Sequence, residues 1–286
     1  MMIFSKACEV YNNIIDSIKK IYTDTCGVSD TELIEVVFND VIDLFNGERK
    51  GFQGCDAKYH DFSHTLQTIP PFIEIIHGWN KANHSFKISK NSFDSGIIAV
   101  LLHDTGYMKT TDDREGTGAK YTFIHIQRSV DFAGSYLPTI GLQEHQVVSV
   151  QNAIHCTGVR VILEDIHFTS EEERILGYAL GTADFLGQMS APDYVEKLPI
   201  LYREYEEAYN FEGLEKLKTM GALIFNNQEH LIKNTPNFFE NIVLARFRNM
   251  GSVFEYLTYH YNTSSIPYLI KIQRNLDRIR TLYGEP

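Results

Sequence analysis

Apolar residues recur at intervals of three and four along nearly the whole chain, which is the spacing of helices that bury one face. In the segment 29–47, Ser29 and Glu32 have the spacing of a capping box, and Gly47 follows as a stop signal. The same spacing predicts further helices at about 6–21, 60–68, 71–82, 92–104, 122–137, 143–156, 170–189, 191–209, 213–232, 236–260 and 265–283. Alternating, strand-like runs are almost absent. The pattern therefore predicts an all-α fold in a single domain, residues 1–286.

The composition narrows the classes of partner. Hydrophobic residues make up 43% of the 286 residues and charged residues 22%, which is ordinary for a globular protein. The formal net charge of -11 argues against binding of nucleic-acid polymers, which depends on a basic face, and a small anionic substrate would need a local cation. No apolar stretch reaches the roughly 18 residues of a membrane span, and the first residues lack a secretory pattern. We therefore expect a cytoplasmic protein without a membrane partner.

The cysteines give no sign of a disulfide framework or of a cysteine zinc site. Cys8, Cys26, Cys55 and Cys156 are far apart and form no C-x-x-C pair. We expect all of them to be free thiols.

A carboxylate at the end of a core segment is the feature that points to chemistry. Every residue from Ile97 to Leu102 is apolar, and His103 and Asp104 follow directly. Such a carboxylate costs several kcal/mol, on the order of a buried unpaired charge, unless a partner compensates it. A divalent metal ion would be such a partner. Because the Asp104 carboxylate has two oxygens, it could bridge two ions.

Other imidazole and carboxylate groups stand beside apolar stretches in the same way. His60 and His64, in the sequence YHDFSH, are four residues apart and are expected on one face of a helix. His125, His155 and Asp184 each lie late in or next to an apolar stretch. A single such histidine is most often a core residue bonded to a backbone carbonyl, or a helix cap. Together, groups of this kind on separate helices predict a metal site in a helical core.

This pattern resembles the HD superfamily of metal-dependent phosphohydrolases. Its members carry a histidine on one helix, a His-Asp doublet that ends a later apolar helix, and a distant aspartate. The residues that match in the same order are His64, His103, Asp104 and Asp184. Members with two metals add two histidines between the doublet and the last aspartate, where this chain has His125 and His155. The resemblance implies an HD-type helical bundle with its core at about 55–190 and extra N- and C-terminal helices.

Local motifs refine the resemblance. YHDFSH is similar to the YHNxxH signature of class I cyclic-nucleotide phosphodiesterases, in which the first histidine donates a proton and the second binds metal, although Asp61 replaces the asparagine. HIQRS, at 125–129, is similar to the HxxRS segment that follows the doublet in many bacterial members. Tyr107 stands where cyclic-di-GMP phosphodiesterases of the superfamily carry lysine, and the GYP motif is absent. The resemblance therefore does not extend to hydrolysis of cyclic-di-GMP.

The resemblance also implies a role for each matching residue. Two divalent ions (Mn, Fe, Zn, Co, Ni or Mg) would share Asp104 and generate a bridging hydroxide, which attacks a phosphoester of a nucleotide or cyclic nucleotide. His60 would protonate the departing alkoxide as the general acid. The ligands of one ion would be His64, His103, Asp104 and Asp184. The ligands of the other would be Asp104, His125 and His155.

Candidate substrate contacts follow from position along the chain. Lys109 and Arg128 are the nearest cations for a substrate phosphate, and a solvated surface charge is the alternative for both. Gln188 lies four residues after Asp184 on the same helical face and is a candidate for contacting substrate or for orienting that ligand. The apolar seam within 191–209 predicts core packing, with a base-stacking wall as the alternative.

Two other functions are compatible with the same residues. The HD fold and ligand set also hold the di-iron centre of myo-inositol oxygenase and its phosphonate-cleaving relatives, which activate oxygen and hydrolyse no phosphate ester. A non-catalytic HD sensor that retains the fold is the second alternative. YHDFSH favours the hydrolase, because it supplies a proton donor that an oxygenase does not need.

Overall fold

Helices account for most of the described chain. The computed structural model describes residues 2–82 and 84–284, with side chains from residue 12 onward except at position 26. The α-helices of this part are α1 (Met2–Cys26), α2 (Glu32–Asn46), α3 (Phe62–Lys81), α4 (Lys90–Leu102), α5 (His125–Tyr136), α6 (Glu144–His155), α7 (Glu171–Met189), α8 (Tyr194–Glu212), α9 (Leu214–Thr219), α10 (Gln228–Phe238), α11 (Leu244–Asn249), α12 (Leu257–Tyr261) and α13 (Pro267–Tyr283). Turns of 3₁₀-helix lie at Thr105–Tyr107, Gly118–Tyr121, Leu137–Ile140, Leu163–Asp165 and Val253–Tyr256, and a π-helical turn lies at Phe239–Val243.

The predicted all-α fold is confirmed. Extended pairing in the described residues is limited to an isolated antiparallel bridge between Phe52 and Thr110. Within residues 2–82 and 84–284, no helix combines the length and the apolar character that crossing a bilayer requires.

Helices α4 and α7 lie at the centre of the core. Every residue of α4 from Phe93 to Leu102 is buried, as expected for a helix that is apolar on all sides. Helix α7 packs along α3 and α6, and α6 also packs against α4 and α5. The buried apolar side chains form one cluster that reaches from Ile14 to Ile279. The polar residues at the ends of these central helices are therefore held within the core.

The proline pair at 70–71 lies inside a continuous helix. The sequence predicts separate helices at 60–68 and 71–82, and this break is wrong, because α3 runs without interruption through both prolines. An interior proline removes a backbone hydrogen bond and costs about 3 kcal/mol or more in an exposed helix. Helix α3 packs against α4, α7 and α12, and this tertiary packing outweighs the local penalty.

Helices α3 and α7 touch backbone to backbone. Pro71 has no N–H for the carbonyl of Gln67 four residues earlier, and this carbonyl lies against Gly187 of α7. A Cβ atom at position 187 would collide with the carbonyl oxygen. The missing side chain lets the two helices approach closely and brings His64 of α3 beside Asp184 of α7.

Two predicted helices in the C-terminal third are wrong in extent. The prediction 213–232 covers α9, a loop and part of α10, because Gly221 has a φ of 70° and Asn227 caps a new helix with its side chain. The prediction 236–260 covers the end of α10, a π-helical turn, α11 and α12, with a break at Gly251, whose φ is 67°. Glycine adopts positive φ without steric cost, so helices commonly end at such positions.

Helix α2 ends as predicted but begins later. Its N-cap is Thr31, whose hydroxyl donates to the Glu35 carboxylate at 2.6 Å, so the predicted capping box of Ser29 and Glu32 is wrong. Gly47 ends the helix with a φ of 78°, as predicted.

Cys55 and Cys156 are free thiols, as predicted. Burial raises the pKa of each to about 12, so neither forms a reactive thiolate near neutral pH. The prediction for Cys8 and Cys26 falls on side chains outside the described part of the structure.

Gly187→Ala should destabilise the protein, because the new methyl group would collide with the Gln67 carbonyl at the α3–α7 contact. We expect a loss of about 2 kcal/mol or more in the free energy of unfolding, measured by denaturant titration. Gly134→Ala in α5 is the matched control, since its methyl group would meet only the movable end of the Gln151 side chain. Equal stability of the two variants would contradict the close contact.

Candidate functional site

His64 lies in the first turn of α3, and Asp61 caps this helix. The Asp61 carboxylate accepts hydrogen bonds from the backbone N–H groups of Ser63 and His64, at 2.9 and 3.2 Å. Asparagine and aspartate cap helices equally well, which explains how aspartate can stand in the YHDFSH motif. His60 precedes the cap, so the predicted shared helix face is wrong. Its ring nevertheless lies beside that of His64, with centroids 5.5 Å apart.

The His-Asp doublet directly follows the last residue of α4. Nδ1 of His103 lies 2.7 Å from the carbonyl oxygen of Val100. A carbonyl can only accept, so Nδ1 carries the proton and Nε2 of the neutral ring presents a lone pair. Nε2 of His103 and Oδ2 of Asp104 are buried and lie 3.3 Å apart, but neither atom makes a hydrogen bond of good geometry with the described groups. Unpartnered buried polar atoms are costly, so this point of the core calls for a further partner.

Four donor atoms converge at this point. Nε2 of His64 lies 3.3 Å from Oδ2 of Asp104 and 3.1 Å from Oδ1 of Asp184. Nε2 of His103 lies 3.3 and 3.8 Å from the same two oxygens. Atoms that bind one zinc-like ion at about 2.0–2.2 Å are roughly 3–3.5 Å apart. The structure thus brings His64, His103 and Asp104 together as a buried group that could hold a metal ion, with Asp184 beside the two imidazoles.

The two carboxylates govern the electrostatics of the cluster. Burial alone would raise the pKa of Asp104, but the imidazoles of His103 and His64 hold it well below its usual range. The pKa of Asp184 is also lowered against the effect of burial, mainly by His64. Burial acts to lower the pKa of His103, and the two carboxylates overcome it and raise this pKa to about 9. The cluster is therefore built to hold positive charge, from a proton or from a metal ion.

Two further histidines lie near the same cluster. His125 is the first residue of α5; its Nδ1 lies 2.7 Å from the Thr122 carbonyl, and its Nε2 lies 3.8 Å from Oδ1 of Asp104. Burial lowers the pKa of His125 to about 4, which leaves the ring in the neutral state that binds metals. His155, the last residue of α6, lines the adjoining cavity but makes no ion pair with an aspartate of the cluster in the described structure. His125 thus lies beside Asp104, whereas no ring nitrogen of His155 lies within 4.0 Å of an aspartate oxygen of the cluster.

The HIQRS segment ties the doublet to α5. The Ser129 hydroxyl accepts from the Gly106 N–H at 2.8 Å and donates to the His103 carbonyl at 2.5 Å. A Cβ atom at Gly106 would collide with the backbone of His125, so glycine allows the turn to lie against α5. These contacts fix the doublet relative to His125.

The structure gives the two predicted phosphate-binding cations structural roles. Arg128 donates to two backbone carbonyls of the turn 106–108, both at 2.7 Å. Lys109 is buried, donates to the Gly116 carbonyl at 2.6 Å and pairs with Asp56 at 2.9 Å. Neither side chain lines the cavity described below, so the structure does not bring them to the predicted phosphate. Lys109 and Arg128 are near the His-Asp doublet in sequence, but this does not make them phosphate ligands, because long basic side chains also donate to backbone carbonyls.

Gln188 orients one carboxylate of the cluster. Its amide nitrogen lies 3.2 Å from Oδ1 of Asp184, and its oxygen accepts from the Tyr59 hydroxyl at 2.9 Å. Of the two predicted roles, these contacts support the orienting one. Gln188 also lines the cavity, where its side chain is half-buried.

His60 is held by a buried glutamate of α8. Nδ1 of His60 lies 2.6 Å from Oε2 of Glu204, and Oε1 of Glu204 accepts from the backbone N–H groups of 58–59. The ring of Tyr107 lies against both His60 and His125, with centroids 4.4 and 4.6 Å away, and the two imidazole centroids are 6.2 Å apart. Burial acts to lower the pKa of His60, but the carboxylates of Glu204, Asp104 and Asp184 together outweigh it and raise this pKa above its ordinary value, with Glu204 the largest contributor among them.

Sequence reasoning missed Glu204. The sequence feature that could have identified it is its position on the apolar face of α8, three residues after Leu201 and four before Ala208. A charge on a buried helix face needs a partner, by the argument that singled out Asp104. The identity of that partner, 144 residues earlier in the chain, is set only by the fold.

A cavity of about 650 Å³ adjoins the cluster, a size common for small-molecule sites. His60, His64, Asp104 and Asp184 form its inner end. Its walls are mostly apolar and include residues of α7, α8 and α10 and of the loops 156–161 and 220–225. Arg160 is the only lysine or arginine that lines it in the described part of the chain.

Comparison with known proteins identifies a family. No match was found among curated proteins or among solved structures. Residues 5–268 match the family described as Npun_R2479-like, which covers most of the chain. The chain therefore belongs to the Npun_R2479-like family.

Proposed function

We propose that the protein is a metal-dependent phosphohydrolase that binds two divalent ions. The observation that carries this proposal is the buried group of His64, His103 and Asp104 beside a cavity, in which Nε2 of His103 and Oδ2 of Asp104 make no hydrogen bond of good geometry. Imidazole and carboxylate are preferred ligands of ions such as zinc, manganese and iron. One ion would be held by His64, His103, Asp104 and Asp184. The second would be held by Asp104 and His125, with His155 as the remaining candidate.

The backbone prepares two of these rings for ligation. The carbonyls of Val100 and Thr122 hold Nδ1 of His103 and His125, which directs both Nε2 atoms toward Asp104. Metal-binding histidines commonly have their second nitrogen bonded in this way. Bound there, the ions would supply Lewis acidity and lower the pKa of a coordinated water, which is the chemistry of phosphoester hydrolysis.

His60 is suited to protonate a leaving group. Glu204 holds Nδ1, so Nε2 is the nitrogen free to act in the cavity that His60 lines. The raised pKa of His60 favours a protonated ring near neutral pH, and stacking on Tyr107 restricts its rotation. An oxygenase or a non-catalytic sensor has no need of such a donor. The His60–Glu204 pair therefore favours the hydrolase over both alternatives.

Protein purified without chelators should contain two transition-metal ions per chain, measured by elemental mass spectrometry. Asp104→Ala should lose both ions, because its carboxylate serves both positions, whereas His125→Ala should mainly lose the second. His167→Ala, at an exposed histidine outside the cavity, is the control and should keep both. A wild-type protein that is metal-free and takes up none on titration would contradict the proposal.

Hydrolysis should proceed without redox change. Metal-free protein reloaded with manganese should hydrolyse phosphomonoesters or phosphodiesters, with nucleotides and cyclic nucleotides in the panel, equally fast in air and under nitrogen. His103→Ala and Asp184→Ala should abolish this activity. If the anaerobic panel is silent with every metal while the iron form consumes oxygen with an inositol-like or phosphonate substrate, the oxygenase replaces the hydrolase.

His60→Ala should keep its metals and lose about 10²–10⁴-fold in rate on esters with an alkoxide leaving group, which needs a proton. The loss should be below about tenfold on p-nitrophenyl esters, whose leaving group needs none. Glu204→Gln should show the same pattern in weaker form. Glu207→Gln, on the same helix but bonded to Thr117, is the control. Equal losses on both ester classes would argue against the acid role, and loss of metal would make His60 a ligand.

A further inference from the structure

We infer that the organic group of the substrate is an apolar or aromatic body with few polar atoms, and not a nucleoside. The inference rests on the proposed function for the phosphate end and on the cavity walls for the other end. Beyond the donor cluster, the walls include Phe123, Phe185, Leu198, Leu201, Phe225 and Leu231. Three aromatic rings lie together there, because Tyr205 packs against Phe123 and Phe225 with centroids 6.0 and 5.7 Å apart.

Five polar side chains in these walls already donate hydrogen bonds to the protein itself. Thr122, Thr157 and Thr235 donate their hydroxyl protons to carbonyls of their own turn or helix, at 2.7, 2.8 and 3.0 Å. Asn234 donates to a carbonyl one helical turn earlier at 2.8 Å, and Gln127 donates to a carboxylate of its own helix at 2.9 Å. These walls therefore offer few free donors to the oxygen and nitrogen acceptors of a ribose and a base, and a buried acceptor without a donor weakens binding.

Two phenolic hydroxyls remain in the walls. Tyr194 and Tyr205 line the cavity, and neither hydroxyl makes a hydrogen bond to another group of the described residues. They suit one or two polar substituents on an otherwise apolar body. They do not match the several donors and acceptors that a nucleoside distributes around its surface.

The charge of the cavity also argues against a polyphosphate. Arg160 is the one lysine or arginine that lines it in residues 2–82 and 84–284, and its guanidinium donates to the Met220 carbonyl at 3.3 Å and lies 5.7 Å from the ring of Phe123. A chain of phosphates would need several such groups. The walls therefore suit a substrate whose negative charge is confined to the phosphate at the donor cluster.

The apolar lining continues to the surface of the protein. Ile124, Val159, Met220 and Leu223 line the cavity and are also exposed to solvent. Exposed apolar side chains that border a pocket are typical of a binding site for an apolar group. An apolar body in the cavity can therefore contact apolar side chains at the protein surface as well as those in the buried walls.

Non-hydrolysable n-alkylphosphonates test this inference by calorimetry on metal-loaded protein. The dissociation constant should fall about three- to fourfold for each added methylene from butyl to octyl, and octylphosphonate should bind at least about tenfold tighter than adenosine monophosphate. The double variant Met220→Gln, Leu223→Gln should weaken the dependence on chain length. Leu282→Gln, at an exposed leucine outside the cavity, is the control and should keep it.

A dissociation constant that does not change with alkyl chain length in the wild type would overturn the inference. Binding of adenosine monophosphate as tight as that of octylphosphonate would overturn it too. Binding of the matched n-alkanols, from butanol to octanol, to metal-free protein probes the walls without the donor cluster. A chain-length dependence in that series supports the apolar body even if no metal binds. Tight binding of octylphosphonate with no hydrolysis of octyl phosphate or of any other ester of the panel by any metal form would refute the proposed hydrolase and support the apolar body.

Discussion

Two carboxylates buried at the centre of a helical core are the constraint on which the rest of the structure depends. Removing the Asp104 and Asp184 carboxylates from water costs several kcal/mol for each charge, and only positively charged or hydrogen-bonding groups close to them can offset this cost. Each helix end that reaches this point supplies one partner: His64 at the start of α3, His103 at the end of α4 and His125 at the start of α5. The apolar faces of these helices pack so that their polar ends meet.

That meeting point requires backbone segments to lie closer together than side chains would allow. Gly187 lets α7 approach the Gln67 carbonyl of α3, and Gly106 lets the turn after the doublet lie against the start of α5. Ser129 bonds to both sides of the same turn. Sub-ångström changes at these contacts would move whole helices, because a packed core transmits displacement. The distances between the imidazole and carboxylate groups of the cluster thus depend on Gly187, Gly106 and Ser129, which are not members of the cluster.

The parts of this structure that sequence could predict are those that depend on neighbours along the chain. Helical spacing identified most helices, and the abrupt change from apolar to polar at His103 and Asp104 marked the site, because both signals are local. Contacts between residues that are distant in sequence could not be predicted from it. Glu204 was missed because its partner is distant in sequence, and Lys109 was misassigned because its partners, Asp56 and a loop carbonyl, meet it only in the folded chain.

The cavity joins a charged inner end to apolar walls, and His60 lies at the boundary between them. A substrate that fills the apolar part would exclude water, lower the local dielectric and strengthen the interaction between His60 and Glu204. Two backbone N–H groups already fix the Glu204 carboxylate, so the pair does not depend on solvent for its geometry. In the proposed hydrolase, binding of a group far from the phosphate would thereby influence the proposed proton donor, as expected of a site in which remote contacts contribute to the reaction.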